Sequence, residues 1–418
     1  YLRNPLDVLA QQIVAMVAMD EWDVEALYQT LRCAAPFAEL PRASFDEVLN
    51  LLSGRYPSDD FSGLKARVTW DRINNRLIPR RGAQRTAILN AGTIPDRGLY
   101  GVFLLGGSET KSRVGELDEE MVFELQIGEV FRLGASMWRT LEITKDQVLV
   151  EPAPGEQGKM PFWRGDGVGR PLEFGRAIGA LTRILSRASR ADAQKLLTHD
   201  HALEAEAADI LYDYVAGQFE AVGDVPSDEC IIVENFIDEV GDWRVVLQSP
   251  FGARVHAPWA MTVAAQLRER FSEIDVVWCD DGIVFRVPES DSPPEAEWFI
   301  PDPESLEEDV VRALSDTSLF AARFRENAAR ALLLPRRFPG QRTPLWLQRR
   351  KSADLMHAAS QYPRFPMILE TYRECLRDVF DIDGLNQLLE DMRSRRIRVH
   401  PVNSDSASPF AQTVLFDF

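Results

Sequence analysis

The sequence predicts an α+β chain built from two modules, and three observations carry that reading. Three short helical patterns precede two short strand patterns near the N-terminus. Residues 98–150 then alternate in brief apolar runs with glycine breaks, and apolar residues at helical spacing dominate after residue 303. Three helices followed by a two-stranded ribbon is the order of a winged helix, placed at residues 1–97. The second module, 98–418, is read as a small antiparallel β-barrel or sheet at about 98–150 and 224–288, with a helical bundle at about 171–222 and 303–397.

The elements justify this in order. Asn4-Pro5-Leu6-Asp7 reads as an N-cap, a proline at the first helical position and an acid placed for a capping box, with a helix to about Met19. Further helices are expected from Asp23 to about Ala35 and from Ser44 to Ser53. Val68–Asp71 and Arg76–Pro79 read as strands around the turn signal Asn74-Asn75. Strands are expected at Tyr100–Leu105, Val122–Leu125, Val130–Leu133, Trp138–Ile143 and Gln147–Val150. Helices follow at Pro171–Ala188 and from Asp192 to about Ala221. Glu229–Val233, Trp243–Gln248, Val276–Val277 and Ile283–Val287 read as strands, with Ser249–Trp259 as the connection into a helix ending near Phe271. The final helices are Thr317–Leu334, Leu345–Gln361, Phe365–Phe380 and Gly384–Arg396, before a strand or extended tail.

The totals exclude several classes. With 45% hydrophobic residues the chain can bury real cores. No run of about 18 apolar residues exists, so no membrane span is expected. Cys33, Cys230, Cys279 and Cys375 lie far apart, which argues for a reducing, cytoplasmic setting and against a disulfide frame or a cysteine zinc site. The chain opens on Tyr1 without a signal-peptide pattern and is read as an internal part of a longer protein. His199-Asp200-His201 is the one close histidine pair, and on a helix its rings diverge, so no metal site is assigned. His256 reads as a hydrogen-bonded structural residue. No pattern for a catalytic nucleophile appears, and no catalytic residue is assigned.

Net charge is −18, yet the charges are segregated. Six lysines stand against 41 arginines, and arginine is the cation suited to bidentate phosphate contacts and ring stacking. Arg76–Arg85 holds four arginines and no acid, and Pro335–Lys351 six cations and no acid. Glu289–Asp309 holds nine acids and no cation. Residues 159–170, with Gly165, Gly167 and Gly169, form a shaped loop carrying Lys159, Arg164 and Arg170 around Trp163. Cations for phosphates and a flat ring for a base are what a single-strand track requires. A tryptophan that merely anchors the loop fits the same pattern. Gly92 and Gly98 flank a turn with Ile94 near its tip, which serves either as a wedge against a base step or as a hydrophobic plug between domains. Arg80, Arg81, Arg85 and Arg97 complete the candidate phosphate contacts.

Several phrases together resemble the large helicase-related (Lhr) family of superfamily 2 DNA helicases, in the core region after the RecA-like lobes. They include NPLDVLAQQI (Asn4–Ile13), RTAILNAGTIPDRG (Arg85–Gly98), VGELDEEMVFE (Val114–Glu124), PAPGEQGKMPFWRGDGVGRP (Pro152–Pro171), SPFGARVHAPWA (Ser249–Ala260), FRENAARALLLPRR (Phe324–Arg337) and FPMILETYRECLRDVFD (Phe365–Asp381). The resemblance implies a winged helix plus a helicase-associated domain that clamp single-stranded DNA, or a strand of an RNA:DNA hybrid, while the motor lobes of the same parent chain translocate 3′ to 5′ in DNA repair. It also implies the stacking role for Trp163 and the wedge role for Ile94. ATP and Mg2+ are implied for the motor lobes alone: this chain has neither a GxxxxGKS/T loop nor a DEAH-type box, so no ATPase activity and no cofactor are expected of it. Two rival readings are a base-processing enzyme of the winged-helix DNA glycosylase type and a protein-docking scaffold.

Overall fold

The computed structural model describes residues 2–416 apart from 57–63, 95–98, 106–111, 119–120, 123–124, 134–135, 145–146, 155–168, 240, 272–273, 291, 316, 336, 339–340 and 344. Helix α1 (Leu6–Val17) turns Leu9, Ile13, Val14 and Val17 inward, the stripe its spacing predicts. Its start corrects the sequence expectation. Pro5, not Asn4, is the N-cap residue, and Asn4 adopts a φ of 50°. Proline has no side chain with which to cap, and the N–H of Leu6 donates instead to Glu370 Oε2 at 2.8 Å. Strand β1 (Trp22–Asp23) leads into α2 (Val24–Arg32), which Asp23 caps by accepting from the N–H groups of Glu25 and Ala26. Helix α3 (Arg42–Leu52), β2 (Val68–Asp71) and β3 (Arg76–Pro79) complete a three-stranded sheet of order β1-β3-β2. Helix α4 (Ala83–Leu89) follows, a seven-residue element where the sequence predicts none.

The next sheet contains β4 (Leu99–Leu104), β5 (Ser112–Asp118), β6 (Val130–Leu133), β7 (Ser136–Ile143) and β8 (Gln147–Pro152), in the order β5-β4-β8-β7-β6. It is not wholly antiparallel: the β4–β5 hairpin joins the β6-β7-β8 meander through a parallel β4–β8 pair. Register shifts at Val102/Phe103 and Thr140/Glu142 bend it. Of the strand expected at Val122–Leu125, Val122 is instead helical with Met121, and Leu125 N–H donates to Met121 O at 3.0 Å; residues 123–124 lie outside the described residues. Met121, Val122 and Leu125 face one core with Phe131 and Val148. Periodicity alone does not separate the two conformations in so short an apolar run.

Helix α5 (Leu172–Arg187) comes next, then α6 (Arg190–Lys195), a π-turn at Leu196–Asp200 and α7 (Ala205–Val222). The sequence predicts one continuous helix from Asp192 to about Ala221, and the structure divides it. The chain breaks at Ala202, with φ at 54°, and Leu203 N–H returns to Leu197 O at 3.0 Å. The break lets Ala208 and Val215 share a core with Leu185, Ala193 and Leu197.

Strands β9 (Cys230–Ile237) and β10 (Trp243–Gln248) precede α8 (Ala253–Leu267), β11 (Asp275–Cys279), β12 (Gly282–Val287) and α9 (Leu306–Leu314). The expected connection Ser249–Trp259 is largely the first half of α8. Pro258 sits inside that helix and cannot donate to the carbonyl of Arg254. That carbonyl accepts the N–H of Asp381 instead, at 3.0 Å, so the helix continues.

Helix α10 (Ser318–Arg330), the short ribbon β13 (Arg337–Phe338) and β14 (Gln341–Arg342), α11 (Leu345–Ser360) and α12 (Pro366–Arg373) come next. After a π-segment at Glu374–Val379 come α13 (Ile382–Arg393), β15 (Arg398–Asn403) and α14 (Pro409–Phe416). The second five-stranded sheet has the order β11-β12-β10-β9-β15, with β15 parallel to β9.

By packing the chain forms two units, each assembled from two stretches. The first is 1–167 with 318–372 and the second is 168–317 with 373–418. In the first unit Leu9, Ile13, Leu27, Phe45 and Leu49 of the N-terminal helices share one core with Phe324, Leu355 and Phe365. Burying each such side chain is worth about 1.5–3 kcal/mol. A polar network crosses the same core. Asp7 pairs with Arg330, their side chains 2% and 11% exposed, and Arg330 also donates to Asn327. Gln11, one turn along α1, donates to Arg330 O at 2.9 Å and to Gly92 O at 3.1 Å, and accepts Gly92 N–H at 3.2 Å.

In the second unit Glu234 is fully buried and accepts from Ser404 Oγ (2.8 Å), Ser408 N (2.9 Å), Ser408 Oγ (2.5 Å) and Gln248 Nε2 (2.6 Å), which fastens the segment before α14 to the sheet. His256 is also fully buried. Its Nδ1–H donates to Cys279 O at 2.7 Å, which leaves Nε2 to accept from Ser249 Oγ at 2.8 Å. Burial pushes its pKa down from 6.5 to about 4.

Both buried groups can be tested. Arg330→Met leaves Asp7 buried without its cation and is expected to cost about 3–5 kcal/mol in urea denaturation, much of it recovered in Asp7→Leu/Arg330→Met. Between pH 6.5 and about 4 the unfolded chain binds a proton at His256 that the folded chain does not, so stability is lost as pH falls through that window. The loss is about 3 kcal/mol from this group, and His256→Gln should flatten that part of the stability–pH curve.

Candidate nucleic-acid interface

The described candidates fall into two environments. Arg80 and Arg81 lie on the turn after β3, and Arg85 lies on α4. All three carry no ion-pair partner among the described residues, and Arg80 and Arg81 are exposed. Gly82, with φ at 86°, starts α4 and turns the chain between Arg81 and Arg85. Ile88, 69% exposed, continues the outer face of α4, and Ile94, 88% exposed, follows five residues after its end at Leu89.

Ile94 is held by what lies beneath it. Gly92 has φ at 97°, a conformation few other residues adopt without strain, and both its N–H and its C=O are bonded to the side chain of Gln11. Gln11 is 4% exposed and is itself fixed to the carbonyl of Arg330. The turn therefore projects a large apolar side chain from a backbone anchored in the core.

Arg170, in the second unit, is turned inward. Its N–H donates to Asp280 Oδ1 at 2.9 Å, and its guanidinium reaches Asp281 Oδ1 at 2.6 Å, Pro250 O at 3.1 Å and Asp280 O at 3.2 Å. Asp280 Oδ1 also accepts the N–H of Ala253 at the start of α8. The chain runs so close here that a Cβ on Gly252 would meet Arg170 O at 2.2 Å. Asp280 and Asp281 thus share Arg170. Lys159, Trp163 and Arg164 of the glycine loop, and Arg97, lie outside the described residues.

Sequence reasoning passes over Ile73, 95% exposed between β2 and β3, with Arg72 stacked over Trp70 at 4.0 Å from the ring centroid. Its signal is an apolar residue inside a turn flanked by Arg72 and Arg76. Of the histidine pair, His199 bonds Asp200 at 2.6 Å on an exposed surface, and among the described residues no three acids, histidines or cysteines cluster as metal ligands. No helix among the described residues is long and apolar enough to cross a membrane.

The chain matches two family models, that for the large helicase-related protein winged helix domain over residues 1–160 and that for the DEAD/H associated region over residues 225–411. It is 49% identical over 417 residues to the "Lhr helicase/ probable uracil glycosylase" of Mycolicibacterium smegmatis, covering 99% of this chain and 28% of that protein. It is 46% identical to the "Lhr helicase/uracil glycosylase" of Escherichia coli, covering 99% of this chain and 27% of that protein. It is 27% identical to the "ATP-dependent helicase Lhr-Core" of Saccharolobus solfataricus, where it spans 48% of the relative. A solved structure of Mycobacterium smegmatis helicase Lhr bound to ssDNA and AMP-PNP aligns with a TM-score of 0.78 at 42% identity, over 99% of this chain and 48% of that one. The chain thus spans from about a quarter to about a half of these relatives. With both models and relatives that align across nearly its whole length, the chain belongs to the large helicase-related family.

Proposed function

We propose that this chain is the strand-holding half of an ATP-dependent 3′-to-5′ DNA translocase, acting on single-stranded DNA during the unwinding of DNA or RNA:DNA duplexes in repair. The observation that carries the reading is the strip Arg80, Arg81 and Arg85 leading to Ile94 on a turn anchored by Gln11. Three cations without acid partners among the described residues attract backbone phosphates, and in a chain of net charge −18 such a strip needs a reason. An exposed apolar side chain on the segment that follows them, two residues from the anchored Gly92, is suited to press against a base step and keep strand movement directional.

Trp163 stacks on a base, and Lys159, Arg164 and Arg97 neutralise neighbouring phosphates. Arg170 fixes the end of the glycine loop through Asp280 and Asp281, so its contribution is positional. The winged helix spans 1–97 and the helicase-associated domain 98–418. ATP and Mg2+ act in RecA-like lobes outside this chain. The naming of relatives as ATP-dependent helicases and the strand bound in the Mycobacterium structure support this reading.

Two relatives also carry uracil glycosylase in their names. A glycosylase needs an accessible carboxylate or amide beside a flipped base. Glu234, fully buried in the second unit, accepts four internal hydrogen bonds, so we assign it a structural part.

In the full-length protein Trp163→Ala is expected to weaken single-strand binding by about 1–3 kcal/mol in fluorescence anisotropy. Arg80→Ala/Arg81→Ala should reduce the slope of log affinity against log salt by about 0.7 for each phosphate no longer neutralised. Ile94→Ala should leave binding nearly intact while lowering the strand displaced per ATP consumed. Unchanged behaviour in all three variants would remove the basis of the proposal.

A further inference from the structure

The stretch from the end of α13 to the start of β15 holds Arg393, Arg395, Arg396 and Arg398, four arginines in six residues. The last three line a cavity of about 690 Å³ in the second unit, together with Arg183 and Arg187 from the last turns of α5 and Phe219 near the end of α7. Two acids share the lining, Asp224 and Glu229, and both are already engaged. Arg398 pairs with Asp224 at 2.5 Å, and Arg183 reaches Glu229 at 3.5 Å while bonding Asp228 through two nitrogens at 2.8 and 2.9 Å. Arg396 pairs with Asp391 at 2.7 Å. Arg187 and Arg395 remain, without an acid partner among the described residues. Arg395 sits in the left-handed region at φ 60°, with its N–H bonded to Met392 O at 3.0 Å, so its backbone is fixed at the cavity edge.

We infer that this cavity is a further nucleic-acid contact, in which Arg187 and Arg395 take successive phosphates of one strand and Phe219 offers a ring to a base. It rests on the strand-holding reading above and adds a site that none of the residues in that reading occupies. A guanidinium fork matches phosphate and carboxylate oxygens alike, so the two unpaired arginines fix only the charge of the ligand. What selects a nucleic-acid strand over an acidic peptide is the ring beside them. Phe219 is 45% exposed at the rim, available as a stacking surface.

The test uses the full-length protein and a fluorescein-labelled oligothymidylate across a salt series, comparing wild type, Arg187→Glu/Arg395→Glu, Arg187→Lys/Arg395→Lys and Trp163→Ala. Matching thermal unfolding checks that the reversal leaves the fold intact. The charge reversal is expected to lower affinity about tenfold or more at low salt and to reduce the salt slope by about 1.4, with partial recovery in the lysine variant. Wild-type affinity and slope in the charge-reversed protein overturn the site. If Trp163→Ala still binds weakly in that case, the strand-holding reading stands and this site alone falls. If the reversal spares the oligonucleotide but abolishes binding of a polyglutamate peptide, the cavity is a protein contact and the inference is likewise overturned.

Discussion

The first unit depends on one buried arrangement: Asp7 and Gln11 on α1 meeting Arg330 at the end of α10. Residues more than three hundred positions apart are joined there in a region almost closed to water. An ion pair so placed adds little net stability, since desolvating both charges offsets most of their attraction. Its value is specificity. Asp7 and Arg330 are tolerable only against each other, so α10 can pack on α1 in one register. Gln11 then transmits that register to Gly92 and so to Ile94. Glu370 adds a second tie by taking the N–H of Leu6 that Pro5 cannot cap. What reads as the start of a winged helix is therefore completed by helices from the far end of the sequence.

The charge distribution has a similar logic. Many arginines serve the fold, as Arg170 does with Asp280 and Asp281, or Arg183 with Asp228. The informative ones are those left over. Arg80, Arg81 and Arg85 in the first unit, and Arg187 and Arg395 in the second, have no acid partner among the described residues. Cations left without an acid partner draw anions locally, even on a chain whose net charge is negative.

The local parts of this fold are legible where one period dominates. Helices α1 to α3, the ribbon β2–β3 and strand β10 follow from their apolar spacing and turn residues. The failures have identifiable causes. The first half of helix α8 reads as a connection in the sequence because Gly252 and Pro258 are breakers. The carbonyl that Pro258 frees finds Asp381, a partner that no local window contains. The break at Ala202 follows from tertiary packing of α7, against residues with good helical propensity. Of the candidate site, the acid-free Arg80–Arg85 run and the glycine-bounded turn carrying Ile94 are visible in the sequence as local signals, and it is the structure that decides for an exposed Ile94 over a plug between domains. The inward turn of Arg170 is not, because Asp280 and Asp281 lie over a hundred residues away.

Amide hydrogen exchange across residues 80–94, in the full-length protein with and without a saturating single-stranded oligothymidylate, tests the central claim most directly. The account predicts slower exchange in α4 and at Gly92–Ile94 when the strand is bound, with the α1 amides beneath already protected in both states. Equal exchange across this segment with the strand fully bound would mean that the arginine strip and the Ile94 turn do not meet the nucleic acid, and the account would be wrong.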